Sequence, residues 1–323
     1  MSTSHHHRRA FADINDLLWF LIALLVLVAI LLPSLAQARK QARATVCMSN
    51  LKGVMMGQHI YASDNEEAFT RHYFETTLNV DNPASHGVTW VGSMGSSDSL
   101  RITQGTSKDT SPKRGHPSRS LFLLIIGGQS TPGMFICPST EDTEDMLRNY
   151  GSDAGGGVDQ QAAQPGRNRF DFAGYTSLSY GYQLPFGPRA QPSTKLDVRM
   201  AMLADKGPYT QAGGGGLTGT RTVRDRLSGA PTPNWRDAKA AAESGPRDWR
   251  PYNSRNHNGE YQNIAFLDGH VSREKRPIAG VNHDNIYTLA PDAGDKLAFI
   301  NGMIPKADEP IGPISNTDSY IVP

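Results

Sequence analysis

Residues 17–32 read LLWFLIALLVLVAILL. The run carries no charge and no glycine, and it is apolar all round, whereas a helix at the edge of a soluble core keeps a polar face. At a rise of ~1.5 Å per residue it is about 24 Å long, slightly short of a hydrocarbon core of ~30 Å. Extending it back through Phe11 to Asp16 supplies the length and adds Asp13, Asn15 and Asp16. Those three belong at the aqueous interface, because an ionised carboxylate at mid-bilayer is costly. The run therefore reads as membrane-inserted.

Two kinds of insertion compete. Arg8 and Arg9, the apolar run and then Ala36-Gln37-Ala38 have the order of a secretory leader with an A-x-A cleavage site. The run is long for such a leader, however, and residues 34–65 (SLAQARKQARATVCMSNLKGVMMGQHIYASDN) keep helical character. Small or apolar residues recur at Leu35, Ala38, Ala42, Val46, Leu51, Val54 and Met55, mostly three or four apart. Ala, Gln, Arg and Lys are good helix formers. One helix from about Asp13 to Ala62 is expected, first crossing the membrane and then laying an amphipathic half on a globular domain. The boundaries that follow are a leader-like segment 1–16, a transmembrane part 17–33, an amphipathic extension 34–62 and a loop-rich β domain 63–323.

Composition sets outer limits. The 323 residues suffice for one sizeable core. With 32 basic and 31 acidic side chains and no long like-charge block, a nucleic-acid footprint is not expected. Two cysteines, Cys47 and Cys137, are too few for a disulfide scaffold or for a structural zinc site. An exported compartment permits one bridge between them; two half-buried thiols is the other reading. His5 to His7 form a short tract to which no function is assigned.

Beyond the helix, residues 70–117 are polar and weakly periodic, with a short strand expected near Gly87 to Val91. Ser120 to Gly127 reads as a short buried helix or strand, and Met134 to Ser139 as a strand ending at Pro138. Tyr175 to Tyr182 alternates like a strand. Val198 to Ala204 is apolar enough for a central strand ending at Asp205. Gly151 to Pro165 and Gln211 to Gly219 read as loops; the run Gly213 to Gly216 lacks the Gly-Lys-Ser/Thr of a phosphate loop. Near the C-terminus, residues 256–271 read NHNGEYQNIAFLDGHV. Here Ile264 to Leu267 is an apolar strand, Asp268-Gly269 a two-residue turn, and His270-Val271 the start of a returning strand.

Three zones together resemble a known family. The order Arg8-Arg9, Phe11, Leu31-Leu32-Pro33, a basic segment Arg39 to Arg43 and then Cys47-Met48-Ser49-Asn50-Leu51-Lys52 resembles bacterial type IV prepilins and type II secretion pseudopilins. It is most similar to prepilin-type proteins with a processing-associated H-X9-DG C-terminal domain. Phe135-Ile136-Cys137-Pro138-Ser139 resembles that group's F-x-C-P-S element. His257 and Asp268-Gly269 resemble its H-X9-DG motif, here with ten residues between His257 and Asp268. Tyr261 stands where Gly is more usual.

The resemblance implies an α+β pilin-like fold, with the N-terminal helix packed on an antiparallel β-sheet that carries loop-rich insertions. It implies a processing site at Ala10/Phe11, with Cys47, Asn50, Leu51, Cys137, His257, Asp268 and Gly269 as motif positions. Ala10 replaces the usual Gly before the cut, and Asn15 replaces the Glu that pairs with a neighbour's N-terminal amine, so slow or absent processing is expected. Basic residues Arg39, Lys40, Arg43 and Lys52 after the span would by local count favour the inside. The resemblance instead places the C-terminal domain outside a single-pass cytoplasmic membrane.

The expected role is a membrane-anchored structural or assembly protein of a type II secretion or type IV pilus-like system. Its expected partners are the membrane and similar helices, in a homo- or hetero-oligomer. The alternative is an exported ligand- or glycan-binding module on the same scaffold. No G-x-S-x-G, H-E-x-x-H or Cys-His pattern points to an enzyme. A hydrolase built on His257 and Asp268 has the least support. Asp268 and Asn263, with backbone carbonyls, suit a hard ion such as Ca²⁺; the competing reading of Asp268 is a structural turn, with no cofactor.

Overall fold

The computed structural model describes residues 14–72, 117–149, 161–167, 169–185, 189–212, 225–305 and 312–323. The expected processing site at Ala10/Phe11, the strand near Gly87 to Val91 and the glycine run Gly213 to Gly216 lie outside these. The chain divides into two units, residues 1–44 and 45–323.

Helix α1 runs unbroken from Ile14 to Asp64, 51 residues, through Pro33. From residue 14 to residue 43 every side chain is exposed, the whole apolar run included. It is the one described helix long and apolar enough to cross a membrane. In the second unit the character changes. Cys47, Leu51, Val54, Met55, Gln58 and Ala62 are buried, at the three-to-four spacing of a single helix face.

That face lies in the core of the second unit. Helix α2 (Pro117–Ile126) adds Leu121, Phe122, Leu124 and Ile125 to the same cluster. The main sheet is antiparallel and has five strands: β1 (Tyr180–Gln183), β2 (Ala201–Asp205), β3 (Gln262–Phe266), β4 (Val271–Glu274) and β5 (Ile321–Val322). Their spatial order is β4-β3-β2-β1-β5. One sheet face, with Tyr180, Tyr182, Met202 and Ala265, joins the α1/α2 cluster. The other, with Ala201, Ala204, Ile264 and Phe266, packs on Tyr209, Ile286 and Tyr287. Because both faces are covered, β2 and β3 are buried at every position instead of alternating. A bulge between Ala201 and Leu203 puts Met202 and Leu203 on the same face, as one extra residue in a ladder must.

The α+β class, the long helix and the antiparallel sheet agree with the sequence reading; several local expectations do not. Residues 134–139 form no strand. Pro132–Phe135 is a 3₁₀ turn, and the Ile136 carbonyl accepts from Asn50 Nδ2 at 2.9 Å in place of a ladder bond. Tyr175–Ser177 is also a 3₁₀ turn, closed by Ser177 N–H donating to Gly174 O at 2.9 Å, and the strand begins only at Tyr180. β2 starts at Ala201 and not Val198, because the Asp197 carboxylate accepts from Arg199 N–H and its carbonyl from Met200 N–H, forming a turn. Ser120 to Ile126 resolves to helix, and Gln211 and Ala212, expected in the loop Gln211 to Gly219, belong to a short strand Thr210–Ala212 paired with Asp225–Leu227.

On the second face lie two buried acids. Asp284 Oδ2 accepts from Ser319 N–H at 2.6 Å, and Asp318 accepts from Ile314 and Ala290 N–H groups. Burial pushes the Asp318 carboxyl up to about 6. Burial, and then the charge of Asp318, raise Asp284 well above the carboxylate range. A raised folded pKa means the native state binds the proton more tightly. This contribution is fully present below the unfolded value of ~3.9 and is lost as pH rises through the folded values. His72 slopes the other way: burial and then Arg119 lower it to about 3. The difference between variants therefore isolates the pair. Between pH 4 and pH 7, Asp284→Asn is expected to lose less melting temperature than the wild type, read by circular dichroism of the full chain in detergent. Parallel curves for the two proteins would contradict this.

Candidate functional site

The sequence motifs converge on one buried junction in the second unit. Cys47 of α1 is joined by a disulfide to Cys137, with a Cα–Cα distance of 5.0 Å. One helical turn on, Asn50 holds the Ile136 carbonyl, and Tyr180 O–H reaches both Cys47 O and Ile136 O at 3.4 Å. This accounts for Cys and Asn three residues apart: they lie on one helix face and clamp the same short segment.

His257 closes the turn Arg255–His257, whose preceding Ser254 accepts from Asn256 N–H. Asn258 and Gly259 follow with φ of 57° and 73°. Gly259 has no substitute, since a Cβ there would lie 2.7 Å from Arg250 O. The double left-handed step turns the chain back into β3 and leaves the His257 ring stacked on Tyr261, centroids 4.5 Å apart. Tyr261 thus holds the plane of the imidazole.

Asp205, the last residue of β2, is the hub. Its Oδ2 accepts from Asn263 N–H at 2.7 Å and Asn263 Nδ2 at 3.2 Å, and its Oδ1 from Asn256 Nδ2 at 3.1 Å. His257 Nε2 lies 3.2 Å from Asp205 Oδ2, 2.9 Å from Asn263 Nδ2 and 3.8 Å from Cys137 Sγ. All of these side chains are buried. Beside the junction a polar cleft of about 370 Å³ is lined by Thr140, Asp142, Tyr175, Lys206 and Arg255 among others. There Lys206 Nζ pairs with Asp142 Oδ2 at 2.9 Å and sits 3.9 Å over the Tyr175 ring, while Ser179 O–H donates to the same carboxylate oxygen at 2.7 Å.

Two acids, Asp205 and Asp268, stand differently to His257. Asp205 joins it; Asp268 does not. Asp268 stands in the exposed loop after β3 and accepts from its neighbour His270 through backbone N–H and ring Nδ1. Asn263 lies buried in β3 and is committed to Asp205 and His257, so Asn263 and Asp268 do not form one ligand set. His257 and Asp268 likewise share no hydrogen bond among the described residues.

The hairpin differs by one residue from the expected two-residue turn. Phe266 N–H donates to His270 O and Gly269 N–H to Phe266 O, giving a three-residue loop, Leu267 to Gly269. Gly269 has φ of 84°, the left-handed position that ends such a loop. Leu267 fixes it from inside, its carbonyl accepting from His59 Nε2 of α1 at 2.9 Å. Gly269→Val is expected to cost ~1–3 kcal/mol through backbone strain, and Asp268→Asn less, since Asn keeps an acceptor. Urea unfolding of both variants checks the ranking; an equal or reversed order would contradict the turn.

The sequence reading missed Asp205's partners Asn256 and Asn263, and the Asp142–Lys206 pair. Asn256 was legible only as part of the N-H-N-G string; the Asp142–Lys206 pair left no local trace. Compared with known proteins, the chain matches no family model, no curated protein and no solved structure.

Proposed function

We propose that the chain is a membrane-anchored, pseudopilin-like structural or assembly protein, with its sheet domain on the extracytoplasmic side. One observation carries the reading. A single 51-residue helix is apolar and exposed all round in its first half, and buries one stripe in the domain core in its second. An exposed apolar helix of this length finds its partners in lipid and in similar helices. The role read here is structural: the buried His257 ring lies against Asp205 and Asn263 and is stacked on Tyr261.

The test is carbonate extraction of native membranes together with photo-crosslinkers at Leu25 and Leu32. The expected result is full-length protein in the pellet, crosslinked to another apolar helix, and a domain digested by protease added outside. Release into the soluble fraction would overturn the anchor, and crosslinks to lipid alone would overturn the assembly. The polar cleft at Asp142 and Lys206 favours a second reading, an exported binding module. A soluble monomer whose N-terminus is Arg39 would establish cleavage after Ala38 and support it.

A further inference from the structure

The disulfide does not stand alone in its pocket. Sγ of Cys47, Sγ of Cys137 and a ring nitrogen of His257 lie within 4.8 Å of one another, and all three residues are buried. Asp205 Oδ2 lies 3.2 Å from His257 Nε2 and stands outside this set of three. A tetrahedral zinc ion takes sulfur at ~2.3 Å and nitrogen at ~2.0–2.1 Å, so its nitrogen–sulfur edge is about 3.6 Å. The corresponding distance here is 3.8 Å, from His257 Nε2 to Cys137 Sγ.

From this geometry we infer that the dithiol form of the chain is a binding site for one thiophilic divalent cation, Zn²⁺ or Co²⁺, held by Cys47, Cys137 and His257, with water in the fourth position. Disulfide and metal centre are then two alternative closures of the same junction. Opening the bond takes two electrons and two protons and gives two thiols: a dithiol supplies both and becomes a disulfide, whereas a phosphine supplies the electrons and water the protons and the oxygen of the phosphine oxide. Metal uptake releases both thiol protons to solvent, leaving two thiolates, a neutral imidazole and a water around the ion. The sulfurs of a bond at ~2.05 Å must part to about 3.8 Å, within reach of χ1 rotation of either cysteine.

The surroundings already suit such a site. Nε2 lies against Cys137 Sγ, and the stack on Tyr261 fixes the ring. Coordination replaces the Asn263 Nδ2 hydrogen bond to Nε2, and Asn263 Nδ2 keeps Asp205 Oδ2 as its acceptor. The donations from Asn263 N–H and Asn256 Nδ2 hold the Asp205 carboxylate beside the His257 ring, outside the three ligands. The inference is independent of the proposed assembly role, since it concerns the junction alone.

The experiment uses the full chain in detergent, reduced with a phosphine, desalted without oxygen and titrated with Co²⁺. One Co²⁺ per chain is expected, with tetrahedral d–d absorption and a near-ultraviolet thiolate-to-cobalt band; Zn²⁺ displaces it and raises the melting temperature of the reduced chain. The oxidised chain is the control for His5 to His7, which can bind cobalt without any thiolate band. Cys137→Ser is expected to abolish the band, and His257→Ala to weaken affinity more than ~10-fold. No thiolate band in the reduced chain would overturn the inference. So would equal affinity in His257→Ala, because an unfolded dithiol would bind without the imidazole. If reduction melts the protein, failure of Zn²⁺ to restore a folding transition also overturns it.

Discussion

Replacing both Cys47 and Cys137 by Ala is expected to lower the free energy of unfolding by about 4–5 kcal/mol. The bond closes a loop with a sequence separation of 90. Chain-entropy arguments give ~3 kcal/mol for a 15-residue loop and ~4.7 kcal/mol for a 100-residue loop, because each doubling of length adds little. The native side of the balance changes less. Both residues are completely buried, but Leu51, Tyr180 and Phe135 remain in the same cluster, and Asn50 still holds Ile136. Guanidinium unfolding of the full chain in detergent provides the measurement. A loss below ~1 kcal/mol would mean that the unfolded chain already holds these segments together. The same number bears on the metal site: a folded reduced chain must survive this loss or recover it from the ion.

Asp205→Ala is expected to cost about 3–5 kcal/mol, because it strips buried donors of their acceptor in a place water does not reach. Asn263 N–H loses its acceptor and Asn263 Nδ2 one of its two partners, keeping His257 Nε2 at 2.9 Å, while Asn256 Nδ2 loses one of its two acceptors, keeping Ser179 O at 2.7 Å. Asp205→Asn separates charge from hydrogen bonding. Its one oxygen can serve Asn263, but its amide group then faces the Asn256 amide, donor against donor, for ~1–3 kcal/mol. Urea unfolding decides between them. Equal costs would mean that the charge itself matters, and a cost below ~1 kcal/mol for Asp205→Ala would remove Asp205 as the hub. The main-chain carbonyl of Asp205, which accepts from Tyr287 O–H at 2.8 Å, stays in both variants.

What could be read from the sequence was what repeats over short distances. A charge-free run of sixteen apolar residues and a three-to-four stripe after it determine one long helix with two environments, since both patterns act through neighbours one turn away. The Asp-Gly pair determined a hairpin, because the left-handed step at Gly269 is a local backbone demand. Loop length was not local: the core position of Leu267, held by His59 of the helix, made it three residues instead of two. Residues 134–139 looked like a strand in composition, but Asn50 and Tyr180 took the Ile136 carbonyl. Which acid meets His257 was decided only by the tertiary structure. Asp268 is near it in sequence yet exposed beyond the end of β3, whereas Asp205 is brought to it by pairing β2 with β3. The meeting of Cys47 and Cys137 has the same origin. Contacts between residues this far apart depend on strand register and helix placement, which the whole core sets by packing both faces of the sheet at once.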